Sequence, residues 1–153
     1  MTFERTWDWG LVQGIVTHPK IWPQITYEGA PDPLDVFCDP GESIWCIVAK
    51  ESDEVLGLFV CTEQNPACWD AHIYMLPHAW GEKARDCTKE FFEWFFAKTG
   101  TQRIIGSIPD YNRFGVAFAL HCGMVPFGCN PQSVRKDGKL WDQTLLGITR
   151  KAA

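Results

Sequence analysis

The run Asp70-Ala71-His72-Ile73-Tyr74-Met75-Leu76 holds the side chains best suited to move a proton. Along an extended strand successive side chains point to opposite faces, so His72 and Tyr74 share one face and Ile73 and Met75 the other. The apolar pair belongs in a core, which turns His72 and Tyr74 towards a cleft. Imidazole, with an unperturbed pKa of about 6.5, serves as a base at neutral pH, and Asp70 is the adjacent carboxylate. The competing reading is that His72 simply pairs with a neighbouring strand. Glu63 is a third base candidate, in what reads as a loop. Tyr111 and Ser107 carry hydroxyls able to return a proton, although a tyrosine in the turn Pro109-Asp110-Tyr111-Asn112 also suits plain packing.

A second kind of chemistry follows at Trp80-Gly81-Glu82-Lys83-Ala84, where a tight turn opens a long helix. The first N–H groups of a helix have no partner inside it, and with its dipole they favour an anion such as a phosphate or pyrophosphate. A glycine lets backbone approach that anion closely. Lys83, Arg85 and Lys89 add positive charge. Many strand–turn–helix units have this make-up and bind nothing, so the segment alone does not define a site. Cys122 follows His121, but neighbours on a helix do not face each other, so no Cys–His dyad is expected. His18 and His78 read as loop histidines. The seven cysteines are odd in number and include no C-x-x-C pair. A disulfide framework or a thiolate metal site would need paired spacings. Cys38, Cys46, Cys61, Cys68, Cys87, Cys122 and Cys129 are therefore expected as reduced thiols of a cytoplasmic protein, with no metal.

The elements that must position these groups are legible from periodicity. Trp7, Leu11, Ile15 and Val16 recur at helical spacing over 6–17, and Pro19 stops that helix. Pro19, Pro23, Pro31 and Pro33 then make an ordered loop or broken helix, closed by Pro40-Gly41. Trp22, Tyr27 and Trp45 pack in the core by default, with the wall of an acceptor cleft as their other role. The apolar runs 45–49 and 55–60, joined by a polar turn, predict an antiparallel hairpin. After Asn65-Pro66, residues 71–76 predict a third strand, ended by Pro77. A helix is predicted from Gly81 to Lys98 with Gly100 as its stop, nearly apolar all round in its last turns. A strand over 103–108, a short helix over 112–121 ended by Gly123, an extended stretch over 125–134 and a strand over 141–149 complete the chain. Pro126 and Pro131 mark the extended stretch as an edge or a bulge, and Asp137-Gly138 marks a hairpin turn.

A chain of 153 residues matches one domain, and 46% hydrophobic with 22% charged residues excludes a disordered chain. Lys+Arg 14 against Asp+Glu 19 gives 14 − 19 = −5, which disfavours nucleic acid as a partner. No apolar run approaches the roughly 20 residues needed to span a bilayer, so no membrane is expected. The first ten residues lack the pattern of a signal peptide. The element order predicts an α+β domain around a central mixed, mostly antiparallel sheet flanked by helices.

Taken in order, the strand, the Gly81 turn and helix, Ile108-Pro109-Asp110-Tyr111-Asn112, His121-Cys122-Gly123-Met124-Val125-Pro126-Phe127-Gly128 and Lys136-Asp137-Gly138-Lys139-Leu140-Trp141-Asp142 resemble the GNAT superfamily of acyl-CoA N-acyltransferases. The likeness is closest to the ribosomal-protein N-terminal acetyltransferase branch and to small GNAT-like proteins of tailed bacteriophages. It implies one GNAT-like domain over 1–153, with a variable helix and loop region over 1–42 and a core over 43–150. It implies acetyl-CoA as cosubstrate, and a small-molecule or protein amine as acceptor, attacking directly. Trp80, Gly81, Glu82, Lys83 and Ala84 become the pyrophosphate loop, Met75 and Leu76 the backbone groups for the pantetheine arm, and Asn112 a contact to that arm. His72 becomes the base and Tyr111 the acid. Trp80 stands where the pattern has Arg, Lys83 where a second Gly is common, and Ala119 where many members have a proton-donating Tyr. The alternative is a non-catalytic GNAT-like binding or structural module, for instance of a bacteriophage. Location would be the cytoplasm, the host's if phage-encoded, and a homodimer is compatible with this reading.

Overall fold

Phe3 draws the start of the chain into the sheet. In the computed structural model, which describes residues 1–35 and 42–152, Thr2–Arg5 is a strand, β1. The Phe3 ring packs against Phe59, Phe91 and Trp94. Sequence periodicity predicts no strand here, because four residues with one large apolar side chain show no alternation. Trp9–Val16 (α1) begins where the Asp8 carboxylate accepts the Leu11 N–H at 3.1 Å, so the helix starts later than the predicted 6–17. The proline-rich stretch holds one helical turn, Trp22–Ile25 (α2), with Pro23 in its first turn. The expected Pro40-Gly41 boundary and Cys38 lie outside the described residues.

Ile44–Glu51 (β2) and Glu54–Asn65 (β3) form the predicted hairpin, longer than its apolar runs because β3 continues through Glu63. Glu63 is therefore an exposed strand residue and not a loop residue. Cys68–Met75 (β4) returns along β3, and Glu82–Thr99 (α3) follows, stopped by Gly100 at φ +73°. Arg103–Pro109 (β5), Arg113–His121 (α4), Val125–Lys136 (β6) and Lys139–Thr149 (β7) complete the fold. The strand order is β1-β2-β3-β4-β5-β7-β6, antiparallel throughout except for β4 against β5. The α+β class and mixed sheet expected from the sequence are thus observed. β6 is an edge strand, with irregular register at Pro126/Gly128 and Asn130/Val134, as its prolines predict. Asp137 at φ +51° and Gly138 at φ +73° make the tight turn into β7.

Two cores clamp the sheet. On one face Phe91, Phe92 and Phe95 of α3 meet Phe59, Ile104 and Leu146, with Trp45 against the same cluster. The Phe59 and Phe91 rings lie parallel, 3.7 Å between centroids. Full burial of one such side chain contributes about 1.5–3 kcal/mol. On the other face Val12 and Ile15 of α1 cover Cys46, Val48 and Leu58, with Tyr74 and Leu76 alongside. Trp45 therefore packs in the core, its default role. No described helix is long and apolar enough to cross a membrane.

Candidate active site

Among the described residues the sheet has one parallel pairing, and it is short. β4 and β5 pair over Cys68↔Arg103, Trp69↔Ile104 and Asp70↔Ile105, and then part. Beyond that point β4 stays with β3 as far as Met75↔Gly57, and β5 stays with β7 as far as Pro109↔Gln143. Each strand keeps its outer partner, so a gap opens between them. In an antiparallel pair a residue's N–H and C=O lie on one edge, and successive residues alternate. Leu76 donates its N–H to Leu56 O at 2.9 Å, so Ile73 and Met75 turn their backbone groups towards the gap. At its mouth lies a cleft of about 360 Å³, bordered by Ile73, Tyr74, Met75, Gly81, Ala84, Asn112 and Phe118, with Ile21 and Ile25 closing it from the α2 side.

Gly81 joins this cleft to α3. It sits at φ +93°, ψ −135°, a conformation that side-chain-bearing residues avoid. No side chain caps the helix start, and a Cβ built on Gly81 would meet nothing within 4 Å. The Trp80 indole N–H donates to Met75 O at 2.7 Å, so one of the expected pantetheine-facing groups already holds a partner. Leu76 is engaged twice within the protein, its N–H with Leu56 and its C=O with the Ala79 N–H at 2.9 Å. The Lys83 ammonium pairs with Glu51 at 2.5 Å. That contact holds the Glu51 carboxyl below its ordinary range and Lys83 above its own. Glu82 and Lys83 are exposed, while Ala84 is buried against the cleft. Asn112 caps α4, its side-chain oxygen accepting the Gly115 N–H at 2.9 Å. Ala119, which the sequence resemblance sets in the slot of a proton-donating tyrosine, is buried in the core.

His72 and Tyr74 share a face as expected, with ring centroids 6.4 Å apart. His72 Nε2 lies 3.1 Å from Asp70 Oδ1. The expected split of an apolar core pair from a cleft pair is incomplete: Ile73 and Met75 border the cleft with Tyr74, whereas His72 is not among the residues bordering it. The gap runs through the sheet, so side chains from both faces reach its rim. Tyr111 is elsewhere. Its hydroxyl donates to Thr26 O at 3.0 Å and its ring meets the Trp141 ring edge-on. Burial pushes its phenol up. It lines an adjoining hollow of about 410 Å³ with Lys136, Lys139 and Trp141, which meets the cleft at Gln24, Asn112 and Phe114. The structure thus gathers Met75, Trp80, Gly81, Ala84 and Asn112 at one cleft, leaves His72 outside its border, and holds Tyr111 in the wall of the adjoining hollow. His18 accepts the Lys20 N–H, and His78 lies 3.5 Å from Glu54. Burial pushes Cys122 up to about 11, which suits a packed thiol and not a nucleophile.

Gly57 escapes a motif-based reading. A Cβ there would stand 2.5 Å from Tyr74 O and 3.0 Å from Met75 Cα, so only glycine lets β3 lie this close to the cleft end of β4. Its signal was present, as an isolated glycine in an apolar strand marks close backbone approach.

No family model and no curated protein sequence matches the chain. Solved structures do share its fold. The spermidine N-acetyltransferase of Vibrio cholerae, in complex with CoA and spermine, superposes with a TM-score of 0.77 at 15% identity, over 97% of this chain and 94% of that one. The ribosomal-protein-alanine N-acetyltransferase of Brucella melitensis gives 0.71 at 16% identity, over 98% and 100%. A Salmonella typhimurium protein solved with its cofactor acetyl-CoA gives 0.71 at 16% identity, over 100% and 96%. The fold is the one these acetyltransferase structures share.

Proposed function

We propose that this chain is an acetyl-CoA-dependent N-acyltransferase acting on a primary amine. The observation that carries the reading is the gap between β4 and β5, which ends on the uncapped start of α3 at Gly81. The names of the structural neighbours support it, as do the ligands in two of them. In this reading the Gly81 turn and the first N–H groups of α3 take the pyrophosphate. The Met75 and Ile73 backbone edges take the pantetheine arm, and Asn112 borders that arm from α4. Lys83, held by Glu51, supplies field more than contact.

The chemistry sets what the remaining residues must do. An amine of pKa about 10.4 is neutral in roughly one molecule per 10^3.4 at pH 7, a deficit of about 4.6 kcal/mol. His72 removes that proton directly or through one water. A strand N–H at the gap donates to the thioester oxygen as negative charge develops on it. The amine nitrogen bonds to the carbonyl carbon, the carbon–sulfur bond breaks with its electron pair on sulfur, and the adduct's surplus N–H proton passes to that thiolate, leaving an amide and free CoA thiol. Tyr111, tied to Thr26, serves as wall of the acceptor side and not as the acid.

A test needs no known acceptor to begin. CoA at 100 times its Kd should add about 2.7 kcal/mol of stability, which at this size raises Tm by roughly 5–11 °C. A panel of amines with acetyl-CoA, read by thiol release, then identifies the acceptor. A protein unmoved by millimolar CoA and silent against every amine would instead be the non-catalytic module.

A further inference from the structure

We propose that Asp70 is a positioning residue that fixes the working nitrogen of His72; this rests on the reading of His72 as the base. The two residues stand two apart on β4, so their side chains share one face, and Nε2 of His72 lies 3.1 Å from Oδ1 of Asp70. Their surroundings differ in a useful way. The Asp70 side chain keeps 20% of its exposure and that of His72 keeps 51%. The carboxylate is set into the sheet and the imidazole stands out from it.

The backbone explains why the carboxylate is the fixed partner. Asp70 is the last β4 residue with neighbours on both sides, Thr62 of β3 and Ile105 of β5. His72 is opposite Val60 of β3, and the pairing with β5 has ended by then. A rigid rung therefore holds the anion just before the gap begins, and the ring it touches belongs to the second residue past that rung. Among the described ion pairs, Asp70 has His72 as its one cationic partner.

Turning Nε2 to the carboxylate selects the tautomer with the proton on Nε2 and leaves the Nδ1 lone pair for the acceptor's proton. When Nδ1 takes that proton the ring becomes a cation, and Asp70 is already beside it. The carboxylate touches neither the amine nor the thioester. It acts through the ring.

The test uses D70N, H72A and the double variant, with an amine found in the acceptor screen. D70N is expected to lower kcat by roughly 10–100-fold, a part of the about 10²–10⁴ that a general base supplies, while KM for acetyl-CoA and Tm stay at parent values. H72A is expected to lower kcat further, and adding D70N to it is expected to change nothing, because the two act as one unit. Nitrogen-15 shifts of the His72 ring, which need no activity, should show the Nε2–H form in the parent and a mixture in D70N. An H72A protein at parent activity would remove the base reading itself. An impaired H72A beside a D70N with parent kcat and an unchanged tautomer would overturn the role of Asp70 and leave the base standing.

Discussion

Replacing Gly57 by alanine should couple stability to cofactor binding. The new methyl would lie 2.5 Å from Tyr74 O, 2.8 Å from Met75 Sδ and 3.0 Å from Met75 Cα. The thioether can swing aside, but the carbonyl and the Cα belong to the strand. Against an optimal carbon contact of about 3.5 Å, β4 must retreat by several tenths of an ångström. Overpacking of this kind costs about 1–3 kcal/mol. Alanine's lower backbone entropy in the unfolded chain offsets about 0.5–1 kcal/mol of that. The 2.5 Å approach to backbone puts the overpacking at this site at about 2–3 kcal/mol, so a net loss of about 1–2.5 kcal/mol remains, or roughly 2–10 °C in Tm for a domain of this size. The displaced atoms flank the gap, so the thermal shift produced by CoA should shrink in the same variant. Differential scanning calorimetry with and without CoA reads both quantities. A G57A protein within about 1 °C of the parent, with the parent's CoA shift, would refute the close approach of β3 to the cleft end of β4.

Phe91→Ala supplies the contrast: losing a ring stacked 3.7 Å from Phe59 should cost about 3–5 kcal/mol, roughly 6–20 °C in Tm, with CoA affinity retained in the folded fraction. Gly81→Val should abolish the CoA shift in a folded protein; the side chain has room, but φ +93° strains a β-branched residue by about 1–3 kcal/mol, and unchanged affinity would mean the anion sits elsewhere. His72→Ala should lower kcat/KM for an amine by roughly 10²–10⁴ at neutral pH and recover in part at high pH, as the amine loses its proton unaided; near-normal activity at pH 7 would return His72 to packing. Burial pushes Cys87 up to about 12 and Cys122 up to about 11, so the folded thiols keep protons that the unfolded chain releases above about 8.5. Stability should therefore fall as pH rises from about 8.5 towards 11, and urea titrations of Cys87→Ala should show a flatter fall; parallel slopes would show that Cys87 takes no part.

Periodicity made most of the sheet and α3 legible, because long apolar runs with clear turn residues admit few alternatives. Asp137-Gly138 is the plainest case, since the positive φ values it suggests are those observed. What periodicity missed depends on partners distant in sequence. β1 exists because Phe3 reaches Phe91, 88 positions away, and nothing within four residues signals that. α2 is a single turn set among prolines. At the site, Gly81 and Asn112 could be named from local pattern, as both lie at helix starts. The side-chain commitments could not, because Trp80 on Met75, Lys83 on Glu51 and Tyr111 on Thr26 are decided by what each meets across the fold.

The brevity of the β4–β5 pairing also bears on how the molecule opens. β1 to β4 form one antiparallel set and β5 to β7 another, and three residue pairs join them. Local pairings form early, and a parallel rung between distant segments forms late because its loop must close first. The two sets should behave as separate cooperative units in native-state hydrogen exchange, with the amides at the junction exchanging through the smaller opening. The α3 phenylalanines share one core with residues of both sets, so that helix ties the sets together where strand pairing does not. A molecule wedged between β4 and β5 would touch both units, and would be read in exchange data as slowed opening across the whole sheet rather than at its own contacts alone.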